Sequence, residues 1–228
     1  MLGGITMTLE RIKQASLMLF SVRGFDGTSL QAIAQQVGIQ KPSIYTYFTS
    51  KDALYLELLH DSLTKELDFA RQLTEIRSDG AFKQVLFQFL SSFIDRYESE
   101  PNVSYMLKTF LYPPQHLQAP IQDLRNHCID ELEQILFTLF SERPADQKFY
   151  VSIANSGQYQ VTVPFHSPEP YAAAENSFRS ANPYSTTENA LAFFMVHLQG
   201  LWVELLRSGV DRAYVRLQRT WPMVNAIV

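Results

Sequence analysis

From Thr28 to Phe48 the chain reads TSLQAIAQQVGIQKPSIYTYF, and no other stretch narrows the fold as far. Ile33, Val37, Ile39 and Ile44 are apolar at the positions where two short helices have to face one another. Ala34 is small where the helices cross. Gly38 sits in the turn, where a left-handed backbone is wanted that glycine adopts freely. Pro42 falls at the first helical position of the second helix, where its missing N–H costs nothing. With Thr28 or Ser29 as the first N-cap, the pattern predicts a helix-turn-helix. A helix from Thr8 to Gly24, carrying Ile12, Ala15, Leu19 and Phe20 at helical spacing, precedes it. A helix from Lys51 to about Leu73, capped by Thr49 or Ser50, follows it.

Downstream the helical rhythm continues. Phe82, Val85, Leu86, Phe89, Leu90, Phe93, Ile94 and Tyr97 recur at i, i+3, i+4, and Pro101 should end that helix. Further helices are expected over Asn102 to Leu111, Ile121 to Leu139, and Thr186 or Thr187 to Ser208. A last one starts at Asp211 and is bent or ended near Pro222. One region breaks the rhythm. KFYVSIANSGQYQVTVPF, residues 148–165, alternates apolar and polar positions on either side of Asn155, Ser156 and Gly157, which is a β-hairpin signal. The following stretch to Ser185 reads as a long loop. The expected class is therefore all-α, with a possible hairpin insertion.

Composition restricts the chemistry. The chain has 228 residues, 46% of them hydrophobic, enough for a substantial core. Net charge is −4, yet residues 1–51 carry Arg11, Lys13, Arg23, Lys41 and Lys51 against Glu10 and Asp26. A basic head on an acidic body suggests that only the head meets an anion. Cys128 is the single cysteine, so no internal disulfide can form, which fits a reducing compartment. The N-terminus lacks a signal-peptide h-region, and the longest apolar stretch is interrupted by His197, Gln199 and Glu204. A cytoplasmic protein without a membrane span is expected. No nucleophile–base spacing, phosphate loop or strong metal motif is present, so neither catalytic residues, cofactor nor metal is assigned.

The short aromatic segment SIYTYFTSK, Ser43 to Lys51, is the chemical signature. Tyrosine, serine and threonine hydroxyls, lysine ammonium groups and N–H groups at helix starts donate to phosphate oxygens. Thr28 and Ser29 add a second set of N–H donors, while Ile44 and Phe48 pack inward. This chemistry suits DNA, with a short helix entering the major groove.

The run from Thr8 to Leu59 resembles the N-terminal domain of the TetR family of bacterial transcriptional regulators. The carrying elements are Leu19-Phe20, Gly24-Phe25, Thr28-Ser29, Ile33-Ala34, Gly38, Tyr45, Tyr47-Phe48, Lys51 and Leu54. The resemblance covers roughly a quarter of the chain. It implies a homodimer on a palindromic double-stranded operator, released when a small effector binds a larger helical domain. It divides the chain into a DNA-binding domain, residues 1–51, and an effector-binding and dimerisation domain, residues 52–228. By that resemblance Thr28, Gln31, Lys41, Pro42, Ser43, Tyr45, Thr46, Tyr47 and Lys51 face DNA. Lys51 and Tyr45 would hold phosphate, and Lys41, Ser43, Thr46 and Tyr47 would reach base edges. The segment 148–185 departs from the family pattern.

In the body, Phe89, Phe93, Tyr97, Tyr105, Met106 and Phe110 either line an apolar effector pocket or form ordinary core. A pocket of that kind would suit a hydrophobic or aromatic ligand. His127 either turns toward such a pocket or belongs to a solvated acidic face with Asp130 and Glu131. Phe194, Leu198, Leu201, Trp202 and Leu205 are candidates for a dimer interface, against the alternative of burial inside one subunit. His116 and His197 are read as core histidines. The hairpin could extend the interface, cover the pocket or stand as a loop. A DNA-binding activator or architectural protein without an effector is the alternative to a repressor.

Overall fold

A computed structural model describes residues 2–75, 82–141, 150–153, 159–162 and 186–227. Its described residues form helices α1 (Leu2–Arg23), α2 (Leu30–Val37), α3 (Lys41–Ile44), α4 (Lys51–Glu75), α5 (Phe82–Tyr97), α6 (Pro101–Leu111), α7 (Gln118–Ser141), α8 (Thr186–Ser208) and α9 (Val210–Ile227). A 3-10 turn, Gln115–Leu117, leads into α7. Strands β1 (Tyr150–Ile153) and β2 (Tyr159–Thr162) pair antiparallel, with Val151 opposite Val161. Both fall within 148–165, but the turn residues of the expected hairpin, and the expected loop up to Ser185, lie outside the described residues.

Helix ends follow local chemistry. Gly24, at φ 69°, stops α1. The Ser29 hydroxyl accepts from Ala32 N–H at 3.1 Å and caps α2, so Ser29 rather than Thr28 is the cap. Gly38, at φ 77° and ψ 33°, closes α2, and Ile39 N–H returns to Ala34 O at 3.0 Å. Ser50 caps α4 through Ala53 N–H at 3.0 Å. Two expectations differ. Helix α1 begins at Leu2, before the expected start at Thr8. Helix α9 continues through Pro222. Pro222 is exposed, so the carbonyl that loses its N–H partner can turn to water.

The first helices join the body through α4 and α6. Phe20 of α1 meets Tyr55 of α4 edge-on at 4.9 Å, and Tyr55 meets Tyr105 of α6 at 5.0 Å. Such pairs add roughly 0.5–1.5 kcal/mol each beyond their buried area. The Tyr105 hydroxyl donates to Tyr55 O, and the Tyr55 hydroxyl bonds Thr109 Oγ1, both at 2.7 Å. The Lys108 ammonium donates to Ser21 O at the end of α1.

A second aromatic cluster fills the body. Phe89, Phe93, Phe110, Phe140, Phe194 and Trp202 are all at most 8% exposed. Helix α8 is long and apolar enough to cross a bilayer by composition. Its Phe194, Leu198, Leu201 and Leu205 are instead buried within the chain. This corrects the interface expected from Phe194, Leu198, Leu201, Trp202 and Leu205: all five belong to the core of one chain. The described residues α8 exposes are Glu188, Ala192, Val196, Gln199, Gly200 and Arg207, on the opposite side of the helix.

Candidate nucleic-acid interface

The short helix α3 is placed by what lies beneath it. Ile44 is fully buried and Phe48 is 3% exposed, packed with Ile33, Ala34 and Val37 of α2. After Ile44 the backbone tightens: Tyr45, Thr46 and Tyr47 N–H groups return to carbonyls three residues back. The tightening aims the intervening side chains outward. Lys41, Pro42, Tyr45 and Thr46 are exposed, and Ser43 and Tyr47 are half-buried. Gln31 and Ser29 are exposed at the start of α2. One surface thus gathers eight of the ten DNA-facing candidates. Gln40, exposed beside Lys41, and Thr49, exposed beyond Phe48, border it too. Their only sequence signal was adjacency to the aromatic segment.

Two candidates sit otherwise. The Thr28 side chain is 1% exposed, and its hydroxyl has no hydrogen-bond partner among the described residues. The turn before α2 folds Thr28 N–H back on Phe25 O at 3.2 Å, which carries the side chain inward. The Lys51 ammonium donates to Phe25 O at 2.8 Å and Thr28 O at 3.0 Å, and lies 3.7 Å from the centroid of the Phe25 ring. Lys51 was expected to hold phosphate; here it clamps the α1–α2 turn, a cation–π contact adding to two charge-assisted bonds. Arg11 does the same at the other end of α2, donating to Val37 O at 2.7 Å.

The residues expected around an effector separate into three places. Phe89, Phe93, Met106 and Phe110 are buried in the body, and Tyr97 is half-buried beside them. Tyr105, one position from Met106, points to the other side of α6, into the Phe20–Tyr55 stack. Burial pushes its hydroxyl well above the ordinary tyrosine range. It braces α4, so it does not line a site with Phe93. His127 is a second correction. Its side chain is 75% exposed and pairs with Glu131 at 3.0 Å. It lines a polar surface groove with Arg71, Asp130 and Gln134, away from the aromatic cluster. Its position on the solvent face of α7 decides this.

Other titratable groups have defined partners. His116 lies 3.3 Å from Asp52, and His197 is 3.2 Å from Thr220 Oγ1. Burial lowers the His197 pKa. Burial, then the Glu131 and Glu66 charges, pushes the Cys128 thiol up to about 12, so it is an inert core residue. Glu66 accepts from both Arg96 terminal nitrogens, at 2.9 and 2.7 Å, and from Asn102 Nδ2 at 3.1 Å.

Known proteins resemble the chain in sequence or in fold. Residues 12–58 match the family model described as bacterial regulatory proteins, tetR family. The biofilm operon icaADBC HTH-type negative transcriptional regulator IcaR of Staphylococcus epidermidis is 30% identical over 134 residues, covering 58% of this chain and 65% of that protein. IcaR of Staphylococcus aureus is 32% identical over 91 residues, covering 39% and 48%. The alignments thus span less than two thirds of these relatives. Among solved structures, FadR from Bacillus subtilis, in complex with stearoyl-CoA, superposes with a TM-score of 0.62 at 10% identity, over 96% of this chain and 98% of that one. The TetR family regulator PfmR of Thermus thermophilus gives 0.53 at 17% identity, over 94% and 96%. At these identities the likeness concerns the fold. Residues 12–58 are thus similar to the tetR family of bacterial regulatory proteins, and the whole chain shares the fold of the solved structures.

Proposed function

We propose that the chain is a ligand-responsive transcriptional repressor that binds a palindromic operator as a dimer in the cytoplasm. The observation that carries this reading is the surface of α3. Lys41, Tyr45 and Thr46 are exposed, and Ser43 and Tyr47 partly so, on a helix and following turn whose Ile44 is fully buried, so donors are displayed on a rigid base. The IcaR relatives, described as negative regulators, favour repression over activation.

In this reading residues 1–51 form the DNA-binding domain and residues 52–228 the effector-binding and dimerisation domain. Continuous α4 links them. It carries Lys51, which sets the α1–α2 turn, and Glu66, held by Arg96 and Asn102, about 22 Å further along its axis. A ligand among the body's apolar side chains that favours a different tilt of α4 shifts the turn and the recognition helix with it. Affinity falls because the ligand binds that state better.

The dimer surface assigned here replaces the buried set with the outward residues of α8 and α9. Ala192, Val196 and Gly200 offer a small apolar strip, and Val215 and Met223 are exposed on α9. Val196→Glu should convert a dimer to a monomer in sedimentation. The two α3 helices of the dimer should lie near one DNA turn apart, about 34–36 Å, or a multiple.

The test is selection of genomic fragments by the purified protein, then titration of the best fragment at several salt concentrations. A palindromic site with a steep salt slope is expected. Absence of sequence-selective binding at low salt by the effector-free protein would overturn the reading.

A further inference from the structure

The body cluster contains two buried N–H groups with no acceptor among the described residues: Trp202 Nε1 and Arg96 Nε. Trp202 is 8% exposed, so its indole nitrogen is far from bulk water. Both residues lie near the Phe93 ring, although the Arg96 guanidinium sits closer to Phe69, 4.2 Å from its centroid. Trp202 meets Phe93 edge-on at 5.4 Å, and the Arg96 guanidinium lies 5.6 Å from the Phe93 centroid. Phe110 lies against Trp202 at 6.2 Å. Buried donors are nearly always paired, and two orphans in one aromatic cluster are unusual.

We propose that this cluster is the effector-recognition site, and that it takes an apolar molecule carrying a neutral carbonyl oxygen, such as a ketone, ester or lactone. The inference rests on the ligand-responsive reading above. The oxygen accepts the Trp202 indole N–H, with the Arg96 Nε–H as the second donor facing the cluster. Phe93 and Phe110 contact the hydrocarbon part.

The local charge decides against an anion. Arg96 is already bonded by Glu66 at 2.7 Å and approached by Glu100 at 3.5 Å. One guanidinium between two carboxylates leaves the site net negative. A third carboxylate would be repelled, whereas a neutral oxygen gains a hydrogen bond without that penalty. The same arrangement connects the site to α4, because the Arg96 terminal nitrogens hold Glu66.

The chain has two tryptophans, Trp202 and Trp221. Trp221 packs edge-on against Phe87, so Trp221→Phe keeps a ring there and leaves Trp202 as the sole indole. Isotope-labelled protein of this variant is titrated with 2-octanone, octane and octanoate, following the Trp202 indole N–H resonance and the methionine methyl resonances. We expect 2-octanone to move the indole resonance downfield, saturably, with an apparent Kd about tenfold lower than octane or octanoate. Trp202→Phe should remove that preference, so that 2-octanone and octane bind with similar apparent Kd. If octane matches 2-octanone, or the indole resonance stays fixed while methionine methyls move, the carbonyl contact is wrong and the ligand-responsive reading survives. Tightest binding of octanoate overturns the choice of a neutral acceptor. If no probe moves any body resonance, this inference falls, and the ligand-responsive reading loses its apolar site.

Discussion

Polar side chains do different work at the two ends of α4. Around its start three cations reach across elements to backbone carbonyls, Arg11 to Val37, Lys51 to Phe25 and Thr28, Lys108 to Ser21, alongside the more exposed pairs of Lys13 with Glu57 and Asp61. Around Glu66 they bind one another, as Glu66, Arg96 and Asn102 do. A clamp on a carbonyl fixes a turn without burying a second charge. That suits a region whose working helix is only four residues long and would not persist alone. The side-chain pairs of the body lock whole helices together and become costly when half of a pair is lost.

That contrast breaks most visibly at Glu66. Glu66→Ala strands the Arg96 guanidinium, which is only 16% exposed. The unfolding free energy should fall by about 3 kcal/mol in urea titration, the low end for a broken buried pair because Glu100 remains nearby. A loss well under 1 kcal/mol would mean that Glu100 takes over and that α4 is not anchored here.

At the other end, Lys51→Met keeps the aliphatic stem over Phe25 and deletes both bonds to the turn. A loss of about 1–2 kcal/mol is expected. Operator affinity should drop while the slope of log K against log salt stays the same, since the ammonium is occupied inside the protein. A slope lowered by about one would place Lys51 on a phosphate instead. The turn between α2 and α3 is a smaller test: Gly38→Ala forces a side chain into φ 77° and should cost about 1 kcal/mol.

These positions also mark where sequence was a good guide. Gly38, Pro42, Ile44 and the Ser50 cap act through backbone geometry and local spacing, so their roles could be read directly. Lys51 could not, because its partners lie 26 and 23 residues away and only the folded α1–α2 turn presents those carbonyls. Periodicity found α8 but not its orientation. A helix apolar on most sides gives no unique inner face, so the buried Phe194–Leu198–Leu205 stripe and the exposed Val196 were indistinguishable. Tyr105 and Phe110 show the same limit: both lie on α6, yet Tyr105 joins the Phe20 and Tyr55 rings whereas Phe110 meets Trp202.

The smallest effect concerns His197, which sits half-buried between α8 and α9 against Thr220. Burial lowers its pKa in the folded chain from the ordinary 6.5. The unfolded chain therefore binds a proton more readily than the folded one. The neutral ring is the native form, so its contribution is fully present above the unfolded pKa. It declines as pH falls from there toward the lowered folded value. Wild-type urea midpoints should drop between about pH 7.5 and pH 5, and His197→Gln should flatten that portion of the profile. His116 packs on the Phe25 ring beside the Lys51 clamp, so the comparison is made in a His116→Phe background, where no histidine touches the clamps and operator affinity of the folded protein should not follow the same curve. A shared pH dependence would show that the α8–α9 contact and the DNA surface are coupled through α4, and the division between the two ends of that helix would have to be redrawn.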